Sequence, residues 1–152
     1  MIEALNLPKA NLKLTRKNEV VFVWCILRKK KLVCTPEEWV RQHVIHFLID
    51  HKNYPTGLIS SEYSLEYNGM NRRADIVAFN RSGEPILIVE CKATSVALTE
   101  KVLHQIAQYN FELDVNLLYL TNGIEHVVCR NNKTLKKIEF LKELPDWSDD
   151  LK

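Results

Sequence analysis

The sequence predicts an α/β fold in which a mixed central sheet is flanked by helices, in the order helix, three strands, helix, strand, with a β-hairpin in front. Three observations predict it. Two apolar strand patterns, Ala74–Phe79 and Ile86–Cys91, are separated only by Asn80-Arg81-Ser82-Gly83-Glu84, a turn composition. Helical patterns opening at Thr35 and at Thr99 bracket them. A chain of 152 residues, 46% hydrophobic and 26% charged, has the size and composition of one globular core.

The elements follow in order. Leu12–Thr15 and Glu19–Ile26 form a hairpin around Arg16-Lys17-Asn18, because Val20-Val21-Phe22-Val23-Trp24 has high strand propensity. Thr35-Pro36-Glu37-Glu38 opens the first helix, with threonine at the N-cap, proline at the first helical position and Glu38 closing a capping box. That helix runs to Asp50 or His51, where Asn53-Tyr54-Pro55-Thr56-Gly57 breaks it. Leu58–Tyr67 is a strand stopped by Asn68-Gly69, and Ala74–Phe79 and Ile86–Cys91 are the next two. Thr99 caps a helix reaching about Leu113, Leu117–Leu120 is a strand closed by Thr121-Asn122-Gly123, and His126–Arg130 is a further candidate strand. The expected organisation is a single domain: residues 1–34 a hairpin extension, 35–130 the core, and 131–152 a tail packed on or extending from it.

Composition narrows the function. No apolar run approaches the ~20 residues that cross a bilayer, and the N-terminus lacks a signal-peptide design. Cys25, Cys34, Cys91 and Cys129 are scattered without a C-x-x-C pair, so neither a zinc site nor a disulfide framework is expected. These features point to the cytoplasm, with no membrane partner. A net charge of +2 argues against a purely electrostatic nucleic-acid binder. The basic run Arg28-Lys29-Lys30-Lys31 is read as a solvated turn between strands rather than a phosphate-contacting arm.

The chemistry gathers around Asp75 and Glu90. Antiparallel neighbours joined by a short turn bring the start of one strand beside the end of the next, so the two carboxylates meet at one edge of the sheet. Left unpaired there they repel, and one holds its proton. A Mg²⁺ ion removes that penalty, and Mn²⁺ is expected to substitute. Alternation puts Glu90 and Lys92 on one face and turns Cys91 away, leaving the Cys91 backbone carbonyl as a further ligand. Two carboxylates and a lysine so placed suit a metal ion that activates water against a phosphodiester. The plainer reading is that Glu90 and Lys92 mark the point where the strand meets solvent.

On the second helix Gln105 and Tyr109 form an i, i+4 pair; Gln105 is placed to position water or a phosphate-flanking group, braced by Tyr109. On the first, Glu37 lies in line with Val40, Val44, Phe47 and Leu48 and is preferred over Glu38 as a third metal-site carboxylate, with Arg41 orienting it or simply pairing with it. Arg73, Arg41 and Tyr109 are the candidate DNA contacts. His43 and His46 lack an accompanying metal motif, and no G-x-S-x-G or P-loop pattern occurs.

These residues together resemble the PD-(D/E)XK nuclease superfamily, and within it the N-terminal nuclease domain of type I restriction enzyme R subunits. The resemblance covers about Thr35–Gly123. It rests on Thr35-Pro36-Glu37-Glu38-Trp39-Val40-Arg41-Gln42, Arg73-Ala74-Asp75-Ile76-Val77, Glu90-Cys91-Lys92, Gln105-x-x-x-Tyr109 and Thr121-Asn122-Gly123. Ala74 stands where the superfamily has its name-giving proline. The resemblance implies a restriction-endonuclease-like α-β-β-β-α-β core in which Asp75 and Glu90 bind Mg²⁺, Lys92 is the catalytic lysine and Gln105 with Tyr109 forms the Q-x-x-x-Y motif. It implies endonuclease-type hydrolysis of DNA to a 5′-phosphate and a 3′-hydroxyl, in defence or DNA repair, with a helicase or specificity subunit as partner; separately, cutting both strands with one active site calls for two copies, so a homodimer is expected. The chain carries no helicase motor of its own. The alternatives are a DNA-binding or assembly module of a larger restriction complex, inactive without a partner, and an RNA-processing enzyme.

Overall fold

The structure, a computed structural model, describes residues 3–67 and 69–151, without the side chains of residues 67, 70 and 109–112. Two sheets and two main helices make it up. The smaller sheet is β1 (Leu14–Lys17), β2 (Val20–Cys25) and β3 (Lys30–Val33), antiparallel throughout with β2 in the middle. The expected hairpin is therefore a three-stranded sheet. The basic run divides: Lys29 turns with φ +52°, Lys30 and Lys31 open β3, and the half-buried Arg28 pairs with Glu62.

Helix α1 (Pro36–His51) starts as its sequence dictates: Thr35 is extended, and its Oγ1 accepts the Glu38 N–H at 3.1 Å. The reciprocal half of the capping box does not form. The Thr35 N–H already donates to the Val33 carbonyl at 2.9 Å, so the Glu38 carboxylate is directed elsewhere.

The large sheet has the order β4 (Ile59–Tyr67), β5 (Met70–Phe79), β6 (Pro85–Cys91), β7 (Leu117–Thr121), β8 (His126–Asn132) and β9 (Lys137–Leu141). All neighbours are antiparallel except β6 and β7, which α2 (Glu100–Glu112) joins by a crossover. The helix α2 is held at its start by Thr99, whose Oγ1 accepts the Val102 N–H. Asn68, expected to help stop a strand, lies outside the described residues. The segment expected as a tail supplies β9, then the buried Leu144, and Trp147, whose indole donates to the Phe79 carbonyl.

One helix covers each face of the sheet. Val40, Val44, Ile45 and Leu48 of α1 pack on Ile76, Ala78, Val89, Cys91, Leu117 and Tyr119. Ile106 and Ala107 of α2 pack on Ala74, Val77, Ile88, Leu118 and Leu120. The alternation of Leu117 and Tyr119 with Leu118 and Leu120 between the two clusters is the strand period of two seen in space. At the end of β7, Gly123 has φ +89°, and a Cβ there would sit 2.9 Å from Leu5 and 3.1 Å from Val40. The left-handed backbone is what favours glycine here, and a side chain would also press on Leu5 and Val40. Among the described residues no helix is long and apolar enough to cross a membrane.

Candidate active site

Strands β5 and β6 set the site. Their register pairs Ile76 with Val89, so one step outward Asp75 stands across from Glu90. Glu90 is only 6% exposed, on a strand whose remaining residues from Ile86 to Cys91 are all buried. A carboxylate at such a position requires partners. Arg72 Nη2 donates to Glu90 Oε1 at 2.9 Å, and Asp75 lies within hydrogen-bonding reach. Burial raises the Glu90 pKa to about 7; the Asp75 charge adds to the rise, while Arg72 and Lys92 oppose it. Burial and the facing Asp75 charge thus both favour the protonated form of Glu90.

Asp75 is fixed from two directions. The Cys91 N–H donates to its Oδ2 at 2.7 Å, and Arg41 Nη2 of α1 donates to its Oδ1 at 3.2 Å. The Cys91 side chain points into the α1 core, fully buried, where loss of solvent pushes its thiol pKa well up. Its backbone meanwhile stays with the acid pair. Arg41, 8% exposed, is the hub of this end of α1. It donates to Glu38 Oε1 at 2.8 Å, and Glu38 Oε2 accepts from Gln42 Nε2 at 3.0 Å. Glu37 lies 3.7 Å from Arg41 with its side chain 45% exposed, whereas Glu38 is buried. The inward carboxylate of α1 is thus Glu38, not the Glu37 that helical periodicity favoured, and it reaches Asp75 through Arg41.

The remaining candidates are less tightly gathered. Lys92 sits past the end of β6, its N–H bonded to the Thr121 carbonyl at 2.8 Å and its ammonium near enough to act on Glu90. Gln105 is exposed on α2, next to the buried Ile106 and Ala107; the side chain of Tyr109 lies outside the described residues. Arg73 is largely exposed and pairs with Glu62 at 3.3 Å. Two site residues escaped the sequence reading. Arg72 could have been found from the rule that a buried carboxylate needs a cation, applied to the strand that begins at Met70. Glu62 gave no sequence signal; on β4 it gathers Arg28, Arg73 and, at 3.7 Å, Arg41.

The donor set is suited to a hard cation. Asp75, Glu90 and the Cys91 carbonyl offer only oxygen, and Mg²⁺ takes one or two protein carboxylates and fills its remaining positions with water or phosphate oxygens. Among the described residues no cluster of three or more His, Cys, Asp or Glu groups is placed to hold a metal. A cavity of about 290 Å³ lined by Phe47, Lys52, Tyr119 and His126 contains none of these residues.

A mixed sheet with a helix on each face and a carboxylate pair across its second and third strands defines a restriction-endonuclease-like α/β domain. Residues 36–145 match the family described as type I restriction enzyme R protein N terminus (HSDR_N), and the chain belongs to that family. Among solved structures it is similar to a fragment described as an HsdR subunit of a type I restriction enzyme from Vibrio vulnificus YJ016. The TM-score is 0.50 and the identity 21%, covering 73% of this chain and 23% of that one. At this identity the likeness speaks for the fold, and this chain spans less than a quarter of that chain's length. No curated protein matches the sequence.

Proposed function

We propose that the domain is the Mg²⁺-dependent DNA-cleaving part of a restriction or DNA-repair system, a PD-(D/E)XK nuclease hydrolysing phosphodiester bonds. The observation that supports it most is the pairing of the buried Glu90 with the half-buried Asp75, tied to the Cys91 backbone and flanked by Lys92. Asp75, Glu90 and the Cys91 carbonyl would hold Mg²⁺ or Mn²⁺, with Glu37 as an outer helper. When bound, the ion supplies Lewis acidity to a phosphate oxygen and to water. Lys92 would orient the attacking water, Gln105 would border the phosphate, and Arg41 keeps Asp75 aimed. Arg73, exposed, contacts the DNA backbone, whereas Arg41, expected as a second contact, is buried on Glu38 and Asp75 and has no free face for a phosphate. In-line attack breaks the P–O3′ bond and leaves a 5′-phosphate and a 3′-hydroxyl. Cytoplasmic DNA is the substrate, and a second copy, or a helicase or specificity subunit of a larger complex, is the partner.

One observation favours a second reading. Arg41 and Arg72 each already hold one carboxylate of the pair, a neutral arrangement that an inactive assembly module could keep without metal. Labelled linear, single-stranded, nicked and branched DNA, incubated with Mg²⁺ or Mn²⁺, separates the two. Metal-dependent cleavage is expected, with Asp75→Asn and Glu90→Gln each slower by at least about 10²-fold. Folded protein that cuts none of these substrates would replace the nuclease reading with the assembly module. RNA cut in preference to DNA would move the activity to RNA processing.

A further inference from the structure

The three-stranded sheet has two unlike faces. Val21, Val23, Leu32 and Cys34 lie on the inner one, in a cluster with Trp39. The outer face follows from the register: Thr15 opposes Phe22, which opposes Val33; Lys17 opposes Val20; and Trp24 stands between Lys31 and Lys13, whose carbonyl accepts the Trp24 N–H at 3.0 Å. Directly opposed residues share a face. That face therefore displays Phe22, Trp24, Val20 and Val33 among Lys13, Lys17 and Lys31.

The face is not packed onto the core. Trp24 is 36% exposed, Val20 40% and Val33 52%. Phe22 is half-buried, and neither it nor Trp24 belongs to the three core clusters. Among the described residues no carboxylate pairs with Lys13, Lys17 or Lys31; the acid nearest in sequence is Glu19, in the β1–β2 turn. An indole flanked by two ammonium groups on adjacent strands, spaced roughly 5 Å apart, offers a ring for a base and cations for the phosphates on either side of it.

We propose that this outer face is a platform for an unpaired DNA strand, with a base stacked on Trp24, a second on Phe22, and the backbone drawn along Lys13, Lys17 and Lys31. A second copy of the chain is a poor occupant, since it would set the same three lysines against themselves. A duplex hides its base faces and would leave the rings without a partner. The turn between β2 and β3 is tied to the neighbourhood of the candidate active site. Arg28, four residues after Trp24, pairs with Glu62, which in turn meets Arg41 and Arg73, and Arg41 holds Asp75. A strand held on the platform would lead toward the acid pair, so the proposal deepens the nuclease reading by naming a substrate with a single-stranded segment.

Binding is tested apart from cutting, in EDTA, by fluorescence anisotropy of a labelled single strand, the matching duplex and an acidic peptide. The single strand is expected to bind tightest and to weaken as salt rises. Trp24→Ala should weaken it about tenfold, and Lys13→Glu with Lys31→Glu by more; circular dichroism should show both variants folded. Unchanged affinity in these folded variants overturns the platform, as does preference for the duplex. A peptide bound in place of the strand would assign the face to a protein. Platform binding without cleavage in Mg²⁺ would remove the nuclease reading and leave this one standing, and cleavage that survives the loss of platform binding would do the reverse.

Discussion

The two sheets treat charge in opposite ways. Where β5 and β6 meet, Asp75, Glu90, Arg41, Arg72 and Glu38 are largely enclosed, and each has a partner of opposite sign. On the outer face of β1–β3, three lysines stand among exposed apolar side chains and pair with no carboxylate among the described residues. A charge removed from water must be neutralised within the protein, so it becomes committed to a fixed geometry. A charge left in water keeps its interaction energy for something outside. The first region is therefore held in one arrangement, and the second is left open to an outside partner.

Breaking the enclosed network should have the largest effect. Arg41→Met leaves Glu38 buried beside Gln42 alone and releases one side of Asp75. Loss of a buried partner of this kind costs about 3 kcal/mol, expected as a lower urea midpoint at unchanged m-value. A midpoint equal to that of the parent would mean that the network is not held as described.

Acidity gives an intermediate effect. The folded-state pKa of Glu90, about 7, lies above its ordinary value of 4.5, so between these values the folded protein binds more protons than the unfolded chain. In EDTA, stability should therefore fall as pH rises from about 4.5 to about 7 and level off above. Glu90→Gln should flatten that slope in thermal melts across the range. A slope that survives the substitution belongs to another group. Mg²⁺ should bind better as pH rises through the same window, since binding needs the ionised carboxylate, and calorimetry in two buffers would detect the released proton.

The smallest effect belongs to the open face. Trp24→Ala or Lys31→Glu should change stability by no more than about 0.5 kcal/mol. By contrast, Trp39→Ala removes an indole that is 8% exposed and bonded to the Glu3 carbonyl, and should cost about 3 kcal/mol. Comparable losses for Trp24 and Trp39 in chemical denaturation would erase the distinction between the regions.

What the sequence made legible was local chemistry. Thr35-Pro36 declares a helix start because the cap and its first turn are adjacent in the chain. The β5–β6 turn declares the meeting of Asp75 and Glu90 because only five residues separate the two strands. The edge strands were harder to see. β3 opens with two lysines, and β9 has an exposed Phe140 and a half-buried Ile138 in a segment that read as an end piece. Both take their identity from a neighbouring strand more than from their own pattern. That Glu38 rather than Glu37 turns inward was hard to see for a similar reason. Helical period placed Glu37 on the sheet side, but the Val33 carbonyl had already satisfied Thr35 and freed Glu38 to turn inward.

The single parallel pairing, β6 beside β7, also bears on how the molecule assembles. Strands β4 to β6 close through short local connections, as do β7 to β9, so each trio has low contact order. The seam between them waits for the long connection through α2 to close, which carries a larger entropic penalty. Glu90 lies on that seam, its backbone paired with Leu120. We predict that the seam forms last and opens first, so that β7 amides exchange with deuterium sooner than those at the centre of β5. The acid pair would then lose its enclosure before the sheet itself comes apart, making it an early casualty of partial unfolding.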